Sequence, residues 1–173
     1  MTNFKEELQN VKAFVFDIDG VLSNQTIALS VWGQPLRTVN LRDGYAIQLA
    51  VKKGYKVGVI SGSRSKEYIK RLNTLGVTDI YLNSRTKKES LKDLAMKWNT
   101  DLRHILYMGD DIPDFEVMKM VGLPVCPADA DSEIKQVALY ISDKCGGEGC
   151  VRDVIEQTLR LHKNWMDYEA FSW

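Results

Sequence analysis

Cysteine and histidine are scarce in this chain of 173 residues, with three of the first and two of the second. So few thiols, odd in number, argue against a disulfide scaffold and for free cysteines. Cys145 and Cys150 flank a Gly-rich loop, but their spacing fits no zinc template. His104, at a strand start, and His162, near a helix end, read as structural groups rather than catalytic ones. An excess of one charge is also missing. Lys plus Arg number 23 and Asp plus Glu number 23, so the formal net charge is zero. That balance argues against a dominant nucleic-acid or anionic-membrane role, while leaving room for a local basic pocket. No apolar run approaches a membrane span, and the opening MTNFKEELQN has none of signal-peptide type. The expectation is a cytoplasmic protein. Neither repeats nor low-complexity linkers interrupt the chain, so a single domain is expected over residues 1–173.

What is present is a regular alternation. Short apolar, β-branched runs at Val11–Phe16, Lys56–Ile60, Asp79–Leu82, His104–Met108, Leu123–Cys126 and Leu139–Ile141 suit buried strands. Helical patterns lie between them, at about Gly44–Lys53, Ser65–Leu75, Lys87–Trp98, Pro113–Val121, Ala130–Val137 and Val151–Lys163. Gly54, Gly76 and Gly122 stand where helix ends call for a left-handed residue. The fold class is therefore α/β, a Rossmann-like parallel sheet with helices on both faces. One segment breaks the rhythm. In Gln25–Asn40 alternating apolar residues flank Gly33-Gln34-Pro35, which predicts a β-hairpin after the first strand.

Ligands in open α/β sheets bind beyond the carboxyl ends of the strands, so those ends carry the functional information. The first ends in Asp17-Ile18-Asp19-Gly20, the second in Ser61-Gly62, and the fourth in Gly109-Asp110-Asp111, with Asp114 one helical turn on. Lys87 opens the helix between the third and fourth strands. Each has a bland reading alone: an Asp after a strand forms turns and caps helices, a Ser opens a helix, and a Lys is solvated. Together they place several carboxylates on one edge, where like charges repel. A divalent cation resolves that conflict, and hard oxygen ligands beside a phosphate favour Mg²⁺.

AFVFDIDGV, VISG, Lys87 and YMGDDIPD resemble, in order, the four motifs of the haloacid dehalogenase superfamily, and the match spans the whole chain. The resemblance implies a phosphatase with Asp17 as nucleophile and Asp19 as acid and base. Mg²⁺ would be held by Asp17, the backbone carbonyl of Asp19 and Asp110. Ser61 and Lys87 would bind the phosphoryl group, with Asp111 and Asp114 in support. The gaps from Asp17 to Ser61 and from Ser61 to Lys87 are too short for a cap domain. The chain thus resembles the capless branch that dephosphorylates 3-deoxy-D-manno-octulosonate 8-phosphate (KDO 8-phosphate). VNLRDGYAIQLAVKKGYKVGVISG and GGEGCVRDVIEQ support that branch. The branch implies a homo-oligomer, a tetramer assembled through the hairpin. It also implies a substrate surface of Asp19, Gly20, Asn40, Arg42, Asp43, Gly44, Gly62, Ser63, Arg64, Arg71, Lys87 and Arg152. Ser61-Gly62-Ser63-Arg64 departs from the usual Thr-Gly-Arg, which puts the contact made by Arg64 in question. Two alternatives stay open: a phosphatase for a nine-carbon sialic-type sugar phosphate, and a silent binding domain of the same fold. The aromatic tail, about residues 164–173, either reaches a neighbouring subunit or packs on its own.

Overall fold

The computed structural model describes residues 3–172. Six parallel strands form one sheet: β1 (Ala13–Phe16), β2 (Lys56–Ile60), β3 (Asp79–Tyr81), β4 (Ile105–Met108), β5 (Leu123–Cys126) and β6 (Tyr140–Ile141), in the order 3-2-1-4-5-6. The helices are α1 (Phe4–Leu8), α2 (Leu41–Lys52), α3 (Lys66–Thr74), α4 (Lys87–Trp98), α5 (Phe115–Met118), α6 (Ser132–Val137) and α7 (Cys150–Leu161). Alternation along the central strands builds two cores. Phe14, Phe16, Leu106 and Met108 face α1, α2, α3 and α7, while Ala13, Val15, Ile105 and Tyr107 face α4, α5 and α6. All eight are fully buried. The chain reverses direction across the sheet between β1 and β4, and the crevice at that point is where such sheets bind ligands.

Several boundaries differ from the sequence expectations, each for a local reason. α2 starts at Leu41 rather than Gly44, because Asn40 caps it by accepting from Arg42 N and Asp43 N. The helix expected over Pro113–Val121 is a short 3₁₀ turn, Ile112–Asp114, followed by α5. Helix α1 was not expected; its five residues are too few for a period, and Asn3 is its cap. Gly122 is not left-handed as expected. It is required by close approach, since a Cβ there would lie 2.0 Å from the Arg103 carbonyl oxygen.

The Gln25–Asn40 hairpin is looser than predicted. Its limbs meet in one antiparallel bridge, Leu29 with Pro35, and the turn closes with Gly33 N donating to Ser30 O at 2.9 Å. The base is firm: Thr38 N donates to Ser23 Oγ, and Tyr68 Oη donates to the Leu22 and Thr38 carbonyls. The tip is not, with Val31 90% and Trp32 85% exposed. The tail returns to its own subunit. Trp165 is buried against Tyr45 and Arg152, and Tyr45 Oη donates to Ala170 O. Met166, Tyr168 and Phe171 remain exposed, and Trp173 lies outside the described residues.

Candidate active site

The residue after β1 is Asp17, whose N–H continues the ladder to Met108 O at 3.1 Å. Its carboxylate is turned to the crevice, accepting from Ile18 N at 2.7 Å and lying 2.8 Å from Lys87 Nζ. Lys87 reaches it from the first turn of α4 and is itself 7% exposed. Its Nζ also donates to Asp114 Oδ1 at 2.7 Å. Asp114 is fully buried; Tyr107 Oη donates to the same oxygen at 2.5 Å, and Asp110 N to the other at 3.2 Å. Every oxygen of Asp114 thus has a protein partner. Asp110 differs: among the described residues its Oδ2 takes only a long contact from Gln25 Nε2 at 3.5 Å, and its buried Oδ1 has no partner.

Charge in this cluster is unbalanced. One ammonium faces three carboxylates whose oxygens lie within 4.8 Å of one another, Asp17, Asp110 and Asp114. Burial, then the Asp114 charge, pushes Asp17 up to about 7. Burial, then Asp17 and Asp114, pushes Asp110 up to about 8. Burial pulls Lys87 down, but the two carboxylates on it outweigh that and leave it raised. Carboxylates held so far from their ordinary range, with one oxygen orphaned, fit a hard divalent cation. Asp17 and Asp110 have the capacity to bind it; Asp114 is engaged with Lys87 and Tyr107. Gly20 makes the approach of Asp110 possible. It sits at φ +80, and a Cβ on it would lie 1.9 Å from Asp110 Oδ2.

Around this cluster opens a hollow of about 820 Å³. It gathers Asp17, Asp19, Gly20, Ser61, Gly62, Ser63, Lys87, Asp110, Asp111 and Asp114 from the ends of β1, β2 and β4 and the start of α4. Ser61 is 1% exposed, its Oγ accepting from Ser63 N at 3.2 Å. The other expected residues lie elsewhere. Asn40, Arg42 and Arg152 line a second hollow, of about 450 Å³, near α7. Asp43, Gly44 and Arg71 line a narrow cleft beneath Tyr68, and Arg64 lies against the hairpin.

Three residues were not foreseen. Arg37, on the returning limb of the hairpin, grips Asp19 through both guanidinium arms, Nε at 2.7 Å and Nη2 at 2.9 Å. Gln25 and Arg85 line the hollow. All three sit in irregular loops, where no sequence period locates a side chain. The hairpin's placement directly after Asp19 was the signal that could have found Arg37.

Comparison with known proteins gives the same picture. The model of haloacid dehalogenase-like hydrolases matches residues 72–152. The KDO 8-phosphate phosphatase of Escherichia coli K12 is 36% identical over 151 residues, covering 87% of this chain and 80% of that protein. The Yersinia pestis KDO 8-phosphate phosphatase structure superposes with a TM-score of 0.89 at 32% identity, over 93% of this chain and 87% of the other. The Moraxella catarrhalis enzyme, solved with magnesium, phosphate and KDO, also superposes at 0.89, with 28% identity over 97% and 95% of the two chains.

Proposed function

The chain belongs to the KDO 8-phosphate phosphatase family of haloacid dehalogenase-like hydrolases, and from there we propose that it cleaves KDO 8-phosphate through an aspartyl-phosphate on Asp17. One observation carries the reading: the carboxylate ending the central strand is bridged to buried Lys87, beside the orphan oxygen of Asp110. Asp17 attacks phosphorus in line with the ester oxygen. As the P–O bond to the sugar breaks, Asp19 gives its proton to the leaving alkoxide. Asp19 then takes a proton from the water that attacks phosphorus, the P–O bond to Asp17 breaks, and the carboxylate is restored. Ser61 and Gly62 hydrogen-bond the phosphoryl oxygens, and Lys87 offsets their charge. Mg²⁺, held by Asp17, Asp110 and the Asp19 carbonyl, would neutralise the phosphoryl group further. Asp111 and Asp114 hold this arrangement, Asp114 through Lys87.

The site is open in a single subunit, and water weakens the electrostatics of phosphoryl transfer. The exposed hairpin residues Leu29, Val31 and Trp32 support assembly with other copies, as a tetramer whose neighbours cover the hollow.

Phosphate release from KDO 8-phosphate and from a nine-carbon sialic-type sugar 9-phosphate, with Mg²⁺ and with EDTA, tests the reading. KDO 8-phosphate should be the better substrate; EDTA should stop the reaction and Mg²⁺ restore it. Full activity in metal-free buffer would remove the metal site, and faster turnover of the nine-carbon ester would reassign the substrate.

A further inference from the structure

The hollow contains one cation with no role in the chemistry above. Aspartates dominate its walls, and among the described residues only Lys87 and Arg85 bring positive charge to its lining. Lys87 is engaged by Asp17 and Asp114. Arg85 is exposed and, among the described residues, has no hydrogen bond or ion pair. An arginine loose on an acidic rim would be expected to fold onto a carboxylate; this one stays apart.

Its loop explains why. The segment between β3 and α4 is stitched to the loop that carries Ser61: Asn83 N donates to Ser63 O at 2.8 Å, and Ser84 N to Ser61 O at 3.0 Å. Asn83 takes a left-handed turn, φ 53, and its side chain accepts from Arg64 Nε at 3.1 Å. Ser84 Oγ is 2.8 Å from Ser90 Oγ, which fixes the loop to α4 as well. Thr86 is nearly extended, φ −129 and ψ 88. The Cα atoms of Arg85 and Lys87 are then separated by at most about 7 Å. Arg85 and Lys87 therefore open onto the same hollow from neighbouring positions of one short segment.

We propose that Arg85 is a specificity-determining residue that receives the carboxylate of an acid-sugar phosphate while Ser61 and Lys87 hold its phosphate; this rests on the phosphoryl reading of the hollow. An octulosonate 8-phosphate carries carboxylate and phosphate at opposite ends of its carbon chain, so it needs a second cation away from the first. A guanidinium suits a carboxylate, presenting two parallel N–H donors in a plane and keeping its charge at any working pH. Arg42, Arg64, Arg71 and Arg152 do not line this hollow, and Arg37 is paired with Asp19, which leaves Arg85 as the unengaged cation in its lining.

The test is a specificity ratio: kcat/KM for KDO 8-phosphate divided by kcat/KM for a hexose 6-phosphate, which lacks the carboxylate. Arg85→Gln should lower this ratio about 10- to 100-fold, mainly through the KM of the acid sugar, and Arg85→Lys should recover part of it. A ratio left unchanged by Arg85→Gln overturns the proposal, whether both substrates lose rate together or neither does. A wild type that prefers the hexose phosphate overturns it too, with the phosphatase reading intact. A wild type silent on every phosphate ester overturns that reading, and this proposal with it.

Discussion

The carboxyl end of β1 and the hairpin tip belong to one stretch of chain, yet they are held in opposite ways. At the strand end Asp17, Asp114 and Lys87 are buried and tied together, and Asp114 has a partner on every oxygen. At the hairpin a single bridge joins the limbs, and Val31 and Trp32 stand almost fully in water. The first region is over-determined by its own subunit. The second has apolar surface and strand edge that the described residues of the subunit leave uncovered. The contrast separates a region complete within one subunit from one that we propose a second copy completes.

Chemistry is where the strand end should break first. Asp17→Asn removes the proposed nucleophile but not its bulk, so phosphate release should fall by roughly 10⁴-fold or more while circular dichroism stays native. Activity near wild type would end the aspartyl-phosphate mechanism.

Lys87→Met sharpens the comparison on stability. It leaves Asp17, Asp110 and Asp114 without their cation, and breaking a buried pair from one side costs about 3–5 kcal/mol. Urea unfolding at pH 8 in EDTA should register that loss, and lowering the pH should recover part of it as the raised carboxyls take up protons. A loss below about 1 kcal/mol would mean the cluster is less dependent on Lys87 than its geometry implies.

Asp43 lies between the two regions, at the start of α2 where the hairpin returns. It is 2% exposed; burial pushes it up to about 6, although the Arg152 and Gly149 N–H groups hold it down. One of its oxygens has no partner among the described residues. A raised acid favours the protonated fold, so this contribution is complete below the unfolded value of 3.8 and is lost as pH rises through about 6. Asp43→Asn cannot titrate. The wild type should therefore lose about 2 kcal/mol relative to the variant between pH 4 and 6, and little more once the pH is about a unit above 6. Parallel stability curves across that window would mean that Asp43 is not held up.

How much of this could be read in advance follows the same division. Lys56–Ile60, Leu123–Cys126 and Lys87–Trp98 match their expected bounds because apolar periodicity alone fixes them. Asp17, Ser61, Lys87, Asp110 and Asp114 could be assigned to one edge because parallel strands all deliver their ends there. Arg37, Gln25 and Arg85 could not, since each depends on loop hydrogen bonds that span distant residues and leave no period. Expecting a regular hairpin treated an alternating sequence as if its ladder were satisfied within one chain. Alternation specifies a face; it does not supply what that face packs against.

The smallest effect expected on the subunit is also the one that tests the hairpin most directly. Trp32→Asp places a charge where the side chain is 85% exposed, so little packing within the subunit is lost. Urea unfolding of the isolated subunit should change by no more than about 0.5 kcal/mol. Assembly should respond very differently. A lone two-stranded hairpin is marginal in water, and this one has a single bridge to hold it. If other copies cover Leu29, Val31 and Trp32, an aspartate there would be buried without a partner and the complex would dissociate. Sedimentation should then move from an oligomer in the wild type to a monomer in the variant, with phosphate release falling as the hollow loses its cover. A variant that stays assembled would move the interface off the hairpin, and a fully active monomeric wild type would mean the open hollow is sufficient by itself.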